Sequence, residues 1–324
     1  MKKLLVYILS AALIMAALAG CTQGADSKNS TENGKLKVVT TIFPPYDFAR
    51  AVSGGFADVT MLIDPGAEVH SFDPTPADII AVQECDVFIY IGGENDAWVD
   101  TVLGSVDTTD KAIVKLMDAV SPVEEETVEG MQAEEEHGED AEAHEDEHGE
   151  YDEHIWTSPK NAMLMVNAIR DAMSAQDSVN AEQYTANAAD YTAQIEEVDA
   201  RIQGIVDAAQ RKLLVVADRF PFRYFVDEFG LDYYAAFSGC SAESDVSVGT
   251  LTFLIDKVKE LNIPYIYYIE LSNKQVAQSV SEQTGAQMLL LHSCHNVTKD
   301  DFDAGVTYVQ LMNANADNLE KGLN

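Results

Sequence analysis

One stretch of the 324-residue chain limits the possible folds more than any other. From Asn180 to Gln210 there is no proline and a single glycine, Gly204, while Tyr184, Tyr191, Ile195, Val198, Ile202, Ile205 and Val206 recur at three- and four-residue spacing. That period places them on one stripe of an α-helix. A helix of about 30 residues spans roughly 45 Å at 1.5 Å per residue, more than the diameter of a small domain. Such an element acts as a strut between two bodies and leaves little hinge freedom.

The flanking sequence agrees. Before the strut, short apolar runs at Val38–Ile42, Val59–Ile63, Val87–Ile91 and Ile113–Met117 read as strands, with amphipathic segments at Tyr46–Val52, Ala77–Gln83 and Asp96–Val106 between them. Ser158-Pro159 marks a further helix start. After the strut, strands are expected at Leu213–Ala217, Asp232–Ala236, Tyr265–Ile269 and Met288–Leu291. Helices are expected at Phe222–Phe229, Val248–Leu261, Lys274–Thr284 and, as one terminal element, Phe302–Leu319. Strands that are apolar throughout, alternating with helices, are the mark of a parallel sheet covered on both faces. The expected fold class is therefore α/β, with two α/β lobes built on mostly parallel central sheets and joined by a long rigid helix. The boundaries are an N-terminal lobe at 36–158, connecting helices at 159–211 and a C-terminal lobe at 212–324. No period-level repeat relates the lobes, and a hydrophobic content of 47% suffices for two cores. Two lobes on a stiff connector imply a cleft between them.

Residues 1–20 read as a secretory signal, with Lys2 and Lys3 ahead of an apolar run from Leu4 to Leu18. Leu18-Ala19-Gly20-Cys21 is similar to a bacterial lipobox, which would make Cys21 the lipidated first residue of the mature chain; an ordinary signal peptide is the alternative. Residues 21–35 are then a flexible tether. The mature protein is expected outside the cell, anchored to the membrane by lipid but not embedded in it. In an oxidising compartment a disulfide is plausible, and Cys240 and Cys294, each following a strand-like run, form the expected pair. Cys85 is expected to be a packed thiol.

The 55 acidic and 20 basic side chains leave a net charge of −35, which excludes nucleic acid as a partner and points to cations. Residues 124–153 hold 16 of the acids and three of the seven histidines. With neither apolar periodicity nor turn chemistry, 124–150 is expected to be a disordered loop inserted at the end of the first lobe. Its His137, His144 and His148 either capture cations weakly or belong to a solvated insertion with no specific site.

Three segments carry candidate chemistry. His70 lies in Asp64-Pro65-Gly66-Ala67-Glu68-Val69-His70-Ser71-Phe72-Asp73-Pro74-Thr75-Pro76, a proline-stiffened loop at the carboxyl end of a strand, where parallel sheets bind ligands. His154 precedes Ile155-Trp156, where the chain returns to the core, so its imidazole needs a partner or a metal. His292 and His295 leave the last strand in Leu291-His292-Ser293-Cys294-His295. If Cys294 is bridged, the two histidines remain as candidate ligands.

From Lys35 to Leu323 the chain resembles the zinc and manganese substrate-binding lipoproteins of bacterial ABC transporters, a group that includes zinc-uptake proteins and metal-binding adhesins. The resemblance rests on His70-Ser71-Phe72 with Pro74-Thr75-Pro76, Asp86-Val87-Phe88-Ile89-Tyr90, His154-Ile155-Trp156 with Ser158-Pro159, Tyr224-Phe225 with Phe229-Gly230-Leu231, and Thr307-Tyr308, Met312 and Asn315. It implies a metal in the cleft between the lobes, with His70 and His154 as N-lobe ligands. The usual third histidine falls on Arg219, which cannot coordinate, so Asp218 or water takes that corner. The usual fourth position, an acid, falls within His292–His295. Arg219 also admits the opposite reading, a fixed charge that weakens metal binding or favours an anionic ligand. Three imidazoles favour Zn²⁺ over Mn²⁺. The implied function is capture of Zn²⁺ by a monomeric protein and delivery to an ABC permease, with no catalysis. The alternatives are a zinc metallohydrolase, against which no general base stands at a fixed offset from a ligand histidine, and a surface adhesin or metal scavenger.

Overall fold

A computed structural model describes residues 34–69, 72–132, 151–241 and 245–324. Cys21, His70, His137, His144 and His148 lie outside the described residues, as do residues 1–20 and most of the tether. In the first lobe the order is β1 (Leu36–Thr40), α1 (Phe43–Ser53), β2 (Ala57–Met61), α2 (Pro76–Glu84), β3 (Val87–Tyr90), α3 (Ala97–Ser105) and β4 (Ala112–Lys115). All pairings are parallel, in the order β2-β1-β3-β4. Two helices follow, α4 (Pro159–Gln176) and α5 (Ala181–Ala208). The second lobe runs β5 (Leu213–Phe220), α6 (Arg223–Phe229), β6 (Asp232–Ser238), α7 (Val248–Glu260), β7 (Tyr265–Tyr268), α8 (Gln275–Thr284) and β8 (Gln287–Leu290). Its sheet is again parallel, in the equivalent order β6-β5-β7-β8. The lobes thus repeat one topology that no sequence period betrays.

Two expectations need correction. The single terminal helix is two, α9 (Lys299–Asp303) and α10 (Tyr308–Gly322). Gly305 at φ 74° turns the chain between them, and Thr307 starts α10 with a capping box closed by Gln310. The acidic tract is also ordered further than expected. Glu124 bridges antiparallel to Tyr151, the Gln132 amide donates to the Ala236 carbonyl at 2.9 Å, and Met131 is buried. The tract's first stem therefore docks on the second lobe.

Helix α5, 28 residues long, buries Tyr184, Ala188, Tyr191, Ile195, Val198, Ile202 and Val206. They belong to one core that runs from the β1 and β3 side chains Val38 and Ile89 through Trp156 to Leu214 and Val216 of β5 and Tyr308 of α10. Each sheet's other face has its own smaller cluster, around Phe88 and Val99 in one lobe and Ile266 and Leu254 in the other. The lobes therefore share their main core, which stiffens their mutual orientation more than a strut alone would.

A buried carboxylate reinforces that arrangement. Asp47 on α1, 1% exposed, accepts hydrogen bonds from the Tyr191 hydroxyl on α5, the Tyr308 amide at 2.8 Å and Arg50 at 2.5 Å. Arg50 also donates to the Val306 carbonyl at 2.8 Å. Burial raises the Asp47 pKa, and the donors around it work in the opposite direction. Replacing Asp47 with Ala would strand these donors. The expected cost is about 3 kcal/mol or more in urea denaturation, the range for breaking a buried charged pair, whereas removal of an exposed pair such as Lys299–Asp303 should cost less than about 1 kcal/mol.

Candidate metal centre

The carboxyl ends of the two parallel sheets open onto one cleft, and the loops that leave them supply its walls. Gly66–Val69 follow β2, Arg219 and Pro221 end β5, Gly239 follows β6, Ile269–Leu271 follow β7, and Ser293, His295 and Asn296 follow β8. His154, ahead of α4, completes the lining. The cavity is about 130 Å³, well under the roughly 300 Å³ at which pockets for organic ligands begin. It is small and polar enough to suit an ion with its bound water rather than a larger organic ligand.

His154 is fully buried. Its Nδ1 lies 3.2 Å from Asp152 Oδ1, the same oxygen that accepts the His154 amide at 2.8 Å. That carboxylate directs the ring proton to Nδ1 and leaves Nε2 as the donor atom. Among the described residues, Nε2 has no hydrogen-bond partner. An unpaired, wholly buried ring nitrogen is costly, and a cation would satisfy it. Burial lowers the His154 pKa, but the Asp152, Glu153 and Glu125 carboxylates outweigh it and hold the value above the ordinary one. The field that favours a proton on this ring equally favours a metal cation.

The second imidazole is His295, whose ring lies 5.3 Å from that of His154 at 87° and 4.9 Å from Trp156. Its position depends on a reversal at Cys294, which adopts φ 62°. A non-glycine residue there is strained and must be held by its surroundings. Glu270 does so, accepting the Ser293 amide at 2.7 Å, the Ser293 hydroxyl at 2.5 Å and the His295 amide at 3.2 Å. Trp156 Nε1 donates to the Ser293 carbonyl at 2.7 Å, tying the loop to the His154 segment.

The reversal separates the two C-lobe histidines. His292 does not line the cavity with His154: its Nδ1 accepts the Cys294 amide at 2.9 Å, and its backbone is clamped by Asn315, which accepts its amide and donates to its carbonyl, each at 2.7 Å. Asp218 is likewise apart. The β5–β6 register shifts between Val216 and Arg219, and Asp218 lies in an adjoining recess with Ser272 and Asn273. Its carboxylate accepts the Arg219 amide at 2.9 Å and the Ile269 amide at 3.4 Å. Burial raises its pKa against the pull of those donors. Arg219 itself faces the cleft, where Nη1 approaches Glu68 of the other lobe at 3.7 Å. With Glu68 half exposed, that contact orients more than it stabilises.

The expected Cys240–Cys294 bridge is absent: both are free thiols, as is Cys85. Cys294 is fully buried beneath its own turn, whereas Cys240 Sγ lies 3.6 Å from Glu153 Oε1. Similar strand exits had suggested a pair, but the αL turn at Cys294 takes that thiol into the core. Burial pushes the Cys240 pKa well up, helped by Glu153, Asp152 and Glu125.

Three features here were not anticipated. Glu153 is 4% exposed and accepts the Asn95 amide at 3.1 Å. Desolvation raises its pKa to about 7, against His154 and that amide. Its position beside His154 was visible, but it read as part of the acidic tract. Gly239 lets the β6 exit pass against the imidazole: a Cβ there would lie 3.0 Å from His154 Cε1 and 3.1 Å from Nδ1. Glu270, at the end of β7, is where the rule for strand ends would have directed attention.

Fold and cleft together define a two-lobed α/β binding protein with a buried imidazole site. Residues 38–322 match the family of zinc-uptake complex component A, periplasmic, and the chain belongs to that family. It is 32% identical to the zinc-binding lipoprotein AdcA of Streptococcus pneumoniae over 95% of this chain and 60% of that protein. It is 30% identical to the high-affinity zinc uptake system protein ZnuA of Bacillus subtilis over 98% of this chain and 96% of that one. The chain thus spans about 60% of the length of the streptococcal AdcA proteins. Among solved structures, the metal-dependent lipoprotein YcdH of Bacillus subtilis superposes with a TM-score of 0.74 at 27% identity, covering 90% of this chain and all of that one. The Zn(II)-bound ZnuA-like domain of Streptococcus pneumoniae AdcA gives 0.73 at 28% identity, covering 90% and 99%.

Two measurements test this account of the site. Gly239→Ala should destabilise the metal-free protein by about 1–3 kcal/mol in urea denaturation, the ordinary cost of overpacking. Glu153 binds a proton more tightly in the folded chain than in the unfolded one, so its contribution to stability is complete below the ordinary glutamate value of 4.5 and is lost as pH rises through about 7. Over that window the melting temperature of Glu153→Gln should fall less with pH than that of the wild type; parallel profiles would refute the assignment.

Proposed function

We propose that this chain is the extracytoplasmic substrate-binding component of an ABC-type importer, capturing Zn²⁺ in the interlobe cleft and passing it to a membrane permease. The observation that carries the reading is the fully buried His154 ring, with Nδ1 held by Asp152 and Nε2 unpartnered among the described residues, in a chain of the zinc-uptake family. His154 and His295 are the two described imidazole ligands, and His70, from the loop after β2, is the third. His292 and Asp218, each engaged by backbone amides, are left out of the ligand set. Imidazole donors favour Zn²⁺ over Mn²⁺, which prefers more oxygen.

The protein binds and releases without catalysis. Its relatives named for zinc binding or zinc uptake favour this reading over the hydrolase and adhesin alternatives. Release is driven by docking on the permease, as expected where a shared core limits spontaneous opening. The chain acts as a monomer held at the membrane through a lipid on Cys21, in keeping with the relative named as a lipoprotein.

Calorimetry should find about one tightly bound Zn²⁺ per chain, plus weaker ions that disappear when residues 133–150, with His137, His144 and His148, are removed. His70→Ala, His154→Ala and His295→Ala should each weaken the tight site at least tenfold, about 1.4 kcal/mol, while His292→Ala leaves it within about threefold. Failure of the wild type to bind Zn²⁺ tightly would overturn the proposal.

A further inference from the structure

Around His154, at the edge of the cleft, stands a group of donors that extends beyond the histidines. One ligand atom each from Glu153, His154 and Cys240 lies within 4.8 Å of the others, the one such trio among the described residues. Two of the three are buried, and Cys240 is half-buried. The trio combines a carboxylate, an imidazole and a sulfur, each a Zn²⁺ donor. It also gathers unlike requirements. Glu153 and Asp152 are 4% and 2% exposed, and Glu125 reaches the same corner through the Gly239 amide at 3.0 Å. Desolvated carboxylates that converge on one imidazole repel one another, and a dication relieves the repulsion. Independently, the His154 Nε2 is fully buried and unpartnered among the described residues.

The chain supplies the reason for a sulfur here. Arg219 stands at the cleft wall and has no lone pair to give, and Asp218 is held in the neighbouring recess by backbone amides. The second lobe therefore offers His295 from the loop after β8 and, from the loop after β6, Cys240. Cys294, the other C-lobe thiol, is buried beneath its own turn and lies outside the trio.

Resting on the reading of the cleft as a divalent-metal site, we infer that Cys240 Sγ is a direct metal ligand, making the centre a mixed imidazole, carboxylate and thiolate site. On binding, the S–H bond breaks, a metal–sulfur bond forms, and the proton leaves to water. A thiolate selects softer ions, so Cys240 sets a preference for Zn²⁺ and Cd²⁺ over Mn²⁺ that oxygen in the same place would not.

The test uses the full mature chain loaded with Co²⁺ in place of Zn²⁺. The wild type should show a near-ultraviolet thiolate-to-cobalt charge-transfer band that Cys240→Ser abolishes and that Cys85→Ser and Cys294→Ser leave in place. Cys240→Ser should also lower Zn²⁺ affinity about tenfold or more while changing Mn²⁺ affinity by less than about threefold. Should Cys240→Ser fail to fold, alkylation of the wild type decides: mass spectrometry should find Cys240 protected when Zn²⁺ is bound and modified when it is not. Stoichiometric binding without a charge-transfer band, or with Cys240 equally alkylated in both states, overturns the thiolate ligand and leaves the zinc-capture reading standing. Absence of tight Zn²⁺ and Co²⁺ binding in the wild type overturns both.

Discussion

The site depends on the two sheets being held with their carboxyl ends facing one another. That orientation comes from a core shared by both lobes and from the Asp47 carboxylate within it, which takes hydrogen bonds from α5 and from the start of α10. Each parallel sheet has loops only at its strand ends to offer a ligand, and either set alone is an open surface. Facing each other, they close a small polar cavity. A shared core also means that the lobes cannot part freely without exposing apolar surface, which accords with the proposal that release waits on docking.

Within that frame, the chemistry is arranged by hydrogen bonds to groups that do not themselves bind. Asp152 sets the tautomer of His154, Glu270 holds the strained turn that presents His295, and Gly239 leaves space for the imidazole. The cost of burying Asp152 and Glu153 beside one ring is offset when a cation arrives, so the site is organised for charge it does not itself supply. Arg219, where relatives of this type were expected to carry a third histidine, has no donor to give a metal, and the thiol proposed as an additional ligand is Cys240, beside Glu153.

Much of the architecture was legible because parallel strands and amphipathic helices leave periods in a sequence. The eight strands and the long helix all fall where the apolar pattern puts them, within a few residues. The terminal helix was misread as one because Gly305 and the Thr307 cap interrupt a pattern that remains apolar at helical spacing. The acidic tract looked unstructured from Glu124 because its first stem is held by contacts with β6 and a bridge to Tyr151, which no local pattern records.

By itself the sequence determined the α/β class, the presence of a long helix between two sets of strands and the short list of histidines. Local periodicity and the rarity of the residue suffice for those. Only the tertiary structure decided which histidines meet. His292 and His295 are three positions apart, and the backbone reversal at Cys294, held by Glu270, sends one toward Asn315 and the other toward His154. Likewise Cys240 and Cys294 follow similar strands, yet one thiol faces Glu153 and the other the core. Side-chain direction at a strand exit is set by the turn and by what packs against it, and that information lies in distant segments of the chain.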